Sequence, residues 1–151
     1  MNVKFNVHDM TIFQQQKDFI DTAIVPLVHI DFSAPQLLQS SAAANYLLTL
    51  TNYIEQQFKG RVVLLPPVCY TTLLRSKELI QNVQAELENG GFKHVFYMTS
   101  DVSWRKLGGG QHIIWMPAIP FESMDQNVRT SILEEQLKEI VPQMTRVWSG
   151  G

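Results

Sequence analysis

Apolar positions along this chain alternate between a strand rhythm and a helix rhythm, and the switches mark its elements. Ile24-Val25-Pro26-Leu27-Val28-His29-Ile30 is β-branched and nearly continuous in apolar character, which predicts a strand. Pro26 has no N–H to give a ladder, so this strand is expected on an edge or with Pro26 near its start. Asp31-Phe32-Ser33-Ala34-Pro35 closes it as a loop, and Pro35 suits the first turn of a helix. From Gln36 to Phe58 the period lengthens. Leu37, Ala44, Leu47, Leu48, Ile54 and Phe58 recur at helical spacing, with Tyr46, Leu50 and Tyr53 as a second stripe beside them. So broad an apolar face predicts a helix packed on the sheet and also on a second helix or a second copy of the chain. Gly60 is placed to end it.

Val62-Val63-Leu64-Leu65 then runs without a polar break until Pro66-Pro67. Such a run is expected of a strand covered on both faces, which predicts that Arg61–Leu65 is the central strand, with neighbours on both sides and Val63, Leu64 and Leu65 closed to solvent. Ser76 is placed to cap a helix ending at Asn89-Gly90-Gly91, with Leu79, Ile80, Val83 and Leu87 on one face. His94–Met98 and His112–Met116 read as two further strands, the second ended by Pro117 and Pro120. Between them Asp101 is expected to cap a short turn through Trp104, stopped by a flexible Gly108-Gly109-Gly110. A last helix starts at Ser123 on capping-box spacing and carries a stripe of Leu133, Leu137, Ile140, Met144 and Val147. Pro142 is expected to kink or split it. Ahead of all these, Asp9 is expected to cap a helix reaching about Ala23.

Strands alternating with helices predict an α/β fold: a three-layer sandwich on a central, mainly parallel four-stranded sheet, doubly wound in the Rossmann or flavodoxin manner. The connection into the fourth strand is near the lower limit for a parallel crossover, about a dozen residues, so that strand is left free to be antiparallel. One domain over residues 1–148 is expected, followed by a flexible tail at 149–151.

Charge changes the picture little. Twelve basic residues stand against fourteen acidic ones without a Lys/Arg cluster, which argues against nucleic acid as a partner. The N-terminus lacks the apolar core of a signal peptide, and no run approaches the roughly 20 residues of a membrane span. A cytoplasmic protein without membrane insertion is expected. Cys69 is the one cysteine, so there is no disulfide framework and no thiolate zinc site. It reads as a small buried hydrophobe, in preference to a nucleophile working with His29 or His94.

Reaction motifs are missing. Gly108-Gly109-Gly110 lacks the Gly-Lys-Ser/Thr ending of a phosphate loop, and no glycine-rich turn follows the first strand. The four histidines lack the i, i+4 pairing of a helical metal site. No cofactor and no metal are expected. In open α/β sheets ligands bind beyond the carboxyl ends of the strands. There the chain places Asp31, Pro66 to Tyr70, Thr99-Ser100-Asp101 and Pro117 to Glu122, so the candidate ligand-binding residues are Asp31, Tyr70, Thr99, Ser100 and Asp101. If Asp31 and Asp101 converge, repulsion raises one pKa and gives an acid/base pair or a divalent-cation site. Otherwise they are loop and cap residues. Tyr70 and Trp104 on rim loops are candidate contact aromatics. The first expectation is a non-enzymatic binding or accessory protein that meets a protein partner or pairs as a homodimer. The alternative is a small-molecule ligand-binding protein or enzyme using the rim.

Ala23–Val28, Phe58–Pro67, Phe96–Asp101 and Ile114–Pro120, in this order and spacing, resemble the YpiF-like family of bacilli and their relatives. The likeness runs from about residue 18 to the end of the last helix. That family is of uncharacterised function. The resemblance therefore implies a small bacterial cytoplasmic domain and brings no activity with it.

Overall fold

The computed structural model describes residues 3–107 and 110–150. Strand β1 (Thr22–His29) is the middle of the sheet. Along one side it pairs with β2 (Val62–Leu64) and then β3 (Val68–Tyr70); along the other it pairs with β4 (His94–Thr99), which pairs in turn with β5 (His112–Trp115). Every pairing is parallel, including that of β5. The sheet has five strands rather than four because Leu65-Pro66-Pro67 breaks one edge into β2 and β3.

The expected central strand is thus an edge. Beyond β2, among the described residues, lies only an isolated bridge from Lys4 to Leu64, with Leu64 N–H donating to Val3 C=O at 3.0 Å. Val62 and Val63 are buried, but Leu64 and Leu65 are partly exposed. A continuous apolar run reports cover on both faces of a strand and says nothing about its edges. β1 holds the centre in spite of Pro26. Thr22, Ile24 and Ile30 all bond toward the β2/β3 side, so the alternation aims the Pro26 nitrogen at that side too. It meets the stretch where the partner edge is itself broken by Pro66 and Pro67. The missing donor falls where no ladder bond is made.

Alternation along β1 and β4 builds two cores. Ile24, Val28, Phe96 and Met98 pack under α2 (Leu37–Gln57) and α5 (Gln126–Trp148). Ala23, Val25, Leu27, Val95 and Tyr97 pack against α1 (Val7–Gln15), α3 (Lys77–Asn89) and α4 (Trp104–Leu107). This is the α/β sandwich the alternation predicted. The breadth of α2 is explained by contact with both sheet and α5, through Tyr46, Leu47, Leu50 and Ile54.

Local starts and stops differ in three places. α1 is capped by Asn6, which accepts from Asp9 N–H at 2.8 Å, and ends at Gln15, because Thr22 and Ala23 belong to β1. Asp125, not Ser123, caps α5, accepting from Val128 N–H at 2.9 Å. α5 also continues as one helix through Pro142, which is exposed, so the expected split does not occur. α2 ends at Gln57 with Phe58 as its cap, and Gly60, two residues on at φ +87°, turns the chain toward β2. Gly108, Gly109 and Gly151 fall outside the described residues.

Candidate functional site

The chain leaves β1 for β2 on one side and later enters β4 on the other. The crossovers therefore part company between β1 and β4, and their carboxyl ends diverge around a crevice. The crevice there has a volume of about 620 Å³. Its walls come from the end of β1 (Leu27, Val28, His29), Asp31, the first turns of α2, Ser100–Val102 after β4, and Ala118-Ile119-Pro120 after β5. Three of the five candidates, Asp31, Ser100 and Asp101, line it; Tyr70 and Thr99 are buried beneath.

Asp101 is the hub of a polar network. Its Oδ2 accepts from the Tyr70 hydroxyl at 2.7 Å and from Arg75 Nε at 2.8 Å, and its Oδ1 accepts from Ser103 N–H at 3.1 Å. Thr99 Oγ1 in turn accepts from Asp101 N–H at 2.9 Å. Burial acts to raise the Asp101 pKa, but these donors and the Arg75 charge outweigh it and hold the carboxyl below its ordinary value. The Tyr70 hydroxyl also receives Trp104 Nε1–H at 2.6 Å, and burial, with the Asp101 carboxylate beside it, pushes its pKa far up. Tyr70 and Trp104 are both buried, so neither is a surface contact aromatic. Above them His29 stacks on Tyr70 at 5.5 Å, with Thr72 Oγ1 at 2.9 Å and Arg75 Nη2 at 3.4 Å from its Nε2.

Asp31 stands apart from this network. Its Oδ1 accepts from both the N–H and the hydroxyl of Ser33, at 3.0 and 2.7 Å, closing a local turn. Those two bonds lower its pKa. The two carboxylates share a crevice, yet both are held ionised, so the raised pKa expected of a repelling pair is found in neither. Ser100 Oγ is buried without a hydrogen-bond partner, a state that costs roughly 1–3 kcal/mol when nothing satisfies the hydroxyl.

His29, raised in the sequence only as a partner for Cys69, also lines the crevice, as do the small residues Ala42-Ala43-Ala44, which leave room between α2 and the rim and were not read as part of a site. For the alanines, the run itself was the one visible signal. Cys69 is exposed on the edge strand, because alternation in β3 turns Tyr70 inward and Cys69 outward. Large apolar side chains crowd the same rim: Phe32 is 77% exposed, Leu38 80%, Leu73 96% and Val102 53%. A second, shallower groove of about 400 Å³ runs along α5 past Ile119, Val128 and Ile132. Among the described residues, no group of three His, Cys, Asp or Glu side chains is arranged to hold a metal ion, and no helix is long and apolar enough to cross a membrane.

Comparison with known proteins finds no solved structure that matches. A family described as protein of unknown function (DUF2487) matches residues 11–148. The uncharacterized protein YpiF of Bacillus subtilis (strain 168) is 31% identical over 149 residues, spanning 97% of this chain and 99% of that protein. The chain belongs to this YpiF-like family of unknown function.

Proposed function

We propose that the protein is a non-enzymatic binding protein whose ligand is a small molecule held in the crevice between the carboxyl ends of β1 and β4. The observation that carries this reading is the crevice itself. It lies at the position where doubly wound sheets take ligands, and its volume of about 620 Å³ is of ligand size. Binding is favoured over catalysis because neither Asp31 nor Asp101 has the raised pKa that a carboxyl serving as general acid needs: hydrogen bonds lower both. Asp31, Ser100 and Asp101 would face the ligand, with Tyr70 and Thr99 positioning Asp101 from below.

Thermal unfolding with a library of small aromatic and aliphatic fragments tests the reading. Some fragments should raise the melting temperature in proportion to the logarithm of their concentration. Ala43→Phe, which fills the crevice from α2, should abolish the effect while leaving the ligand-free protein folded. Stabilisation that survives the filler would place the ligand elsewhere.

A second reading is favoured by the apolar collar of Phe32, Leu38, Leu73 and Val102: the rim meets a protein partner, a second copy of the chain included. Sedimentation over a concentration range separates the cases. Self-association lost in Leu73→Asp supports a homodimer through the rim, and a monomer at every concentration removes it.

A further inference from the structure

We infer that the crevice selects a small organic cation, an amine on an apolar body, over anionic ligands such as carboxylates and phosphates. The inference rests on the crevice being a ligand site and goes on to name the chemistry it takes. Its lining contains Asp31 and Asp101 and no lysine or arginine. The two acids are not equivalent. Asp101 is neutralised by Arg75 at 2.8 Å, whereas Asp31 makes no ion pair among the described residues. Both Ser33 donors go to Asp31 Oδ1, and Oδ2 has no donor among the described residues. One full negative charge with an open acceptor oxygen thus stands at the lip.

The N-terminal end of α2 opens on the same space through Gln36, Gln39 and Ser40, and its partial positive charge favours an anion. That end amounts to roughly half a unit charge, less than the whole unit on Asp31, so the carboxylate prevails. Two of its four leading N–H groups are already taken, those of Gln36 and Leu37, both by Ser33 C=O. The unpartnered Ser100 hydroxyl adds a group that a ligand's polar end can satisfy after one side-chain rotation. The apolar body finds Leu27, Val28, the alanine run and Ile119 on the walls, with Val102 at the mouth. A phosphate would find His29 and neutral amide and hydroxyl groups in that lining, but no lysine or arginine to match its charge.

The test uses two matched series: tryptamine, tryptophol and indole-3-propionate, then hexylamine, hexanol and hexanoate. Each is titrated into the full chain at neutral pH and followed by backbone amide shifts. The amines should bind about tenfold more tightly than the alcohols, the worth of one charge-assisted hydrogen bond at the lower end of its range, and the carboxylates should be weakest. Asp31→Asn should bring amine and alcohol to equal affinity, and Ala43→Phe should remove binding by all six. Ala42→Leu serves as a second filler should Ala43→Phe lose its dispersed spectrum. Preference for the carboxylates, or an amine preference intact in Asp31→Asn, overturns the charge assignment while the fillers still report the crevice. Saturable binding by none of the six, or binding indifferent to both fillers, overturns the crevice reading and the inference with it.

Discussion

Asp101 shows how one side chain can be structural and still shape a site. Its carboxylate ties β3 (through Tyr70), the segment before α3 (through Arg75) and the start of α4 (through Ser103) to the end of β4. Asp101→Asn should therefore destabilise the fold at pH 7 by about 1.5–3 kcal/mol, the worth of hydrogen bonds to a charged group. The sign of the pH dependence follows from the lowered pKa. The native state binds fewer protons than the unfolded chain near that range, so the contribution is present above the ordinary value of 3.8 and is lost as pH falls through the lower folded value. Urea unfolding of wild type and variant from pH 7 to pH 3 should show two curves that stay apart until about the ordinary carboxylate value and then converge. A gap that widens on acidification would mean that the carboxyl is protonated in the fold. In the sequence Asp101 read as a cap, and Ser103 N–H confirms that much. Tyr70 and Arg75, which lie 31 and 26 residues before it, were not legible as its partners, because no local periodicity links the end of one strand to an aromatic on another or to a loop arginine.

At the scale of elements, what could be read and what could not divide along local lines. α2 and α3 fell within a residue or two of their expected bounds, because each carries an apolar stripe of its own period and a start or stop residue. β1 and β4 were found from β-branched and aromatic content. The sheet order was not, since Val62-Val63-Leu64 looks alike at an edge and at the centre when helices cover both faces. Pro26 pointed the wrong way for a related reason: its missing donor is harmless only because Pro66 and Pro67 lie opposite, a coincidence of two segments far apart in sequence. Pro142 is the plainest case of tertiary context overriding a local rule. α5 stays one continuous helix through it, with Leu133, Ile140 and Met144 packed in the core it shares with the sheet. The local cost is still there. Pro142→Ala should restore a backbone donor and stabilise the protein by about 1–3 kcal/mol, read as a higher melting temperature in calorimetry. A fall would show that the proline ring makes a contact the helix needs.

The molecule as a whole closes one end of its sheet and leaves the other open. At the amino end Trp148 Nε1–H donates to Thr22 Oγ1 at 2.8 Å, Arg61 lies 4.2 Å over the Trp148 ring, and Arg61 Nε meets Asp21 at 3.1 Å. The C-terminal helix is thereby pinned across the start of β1. At the carboxyl end, among the described residues, no such lock spans α2 and the β4 loop, and the crevice lies between them. The central claim is that this opening is where the protein binds. Amide shift mapping during titration with a binding fragment tests it most directly. The account predicts saturable shifts converging on residues 27–31, 36–44, 100–102 and 118–120, the segments that wall the crevice. Shifts gathered instead along Asn127–Gln136 in the groove of α5, or along the outer edge of β2, with the crevice unmoved, would contradict it.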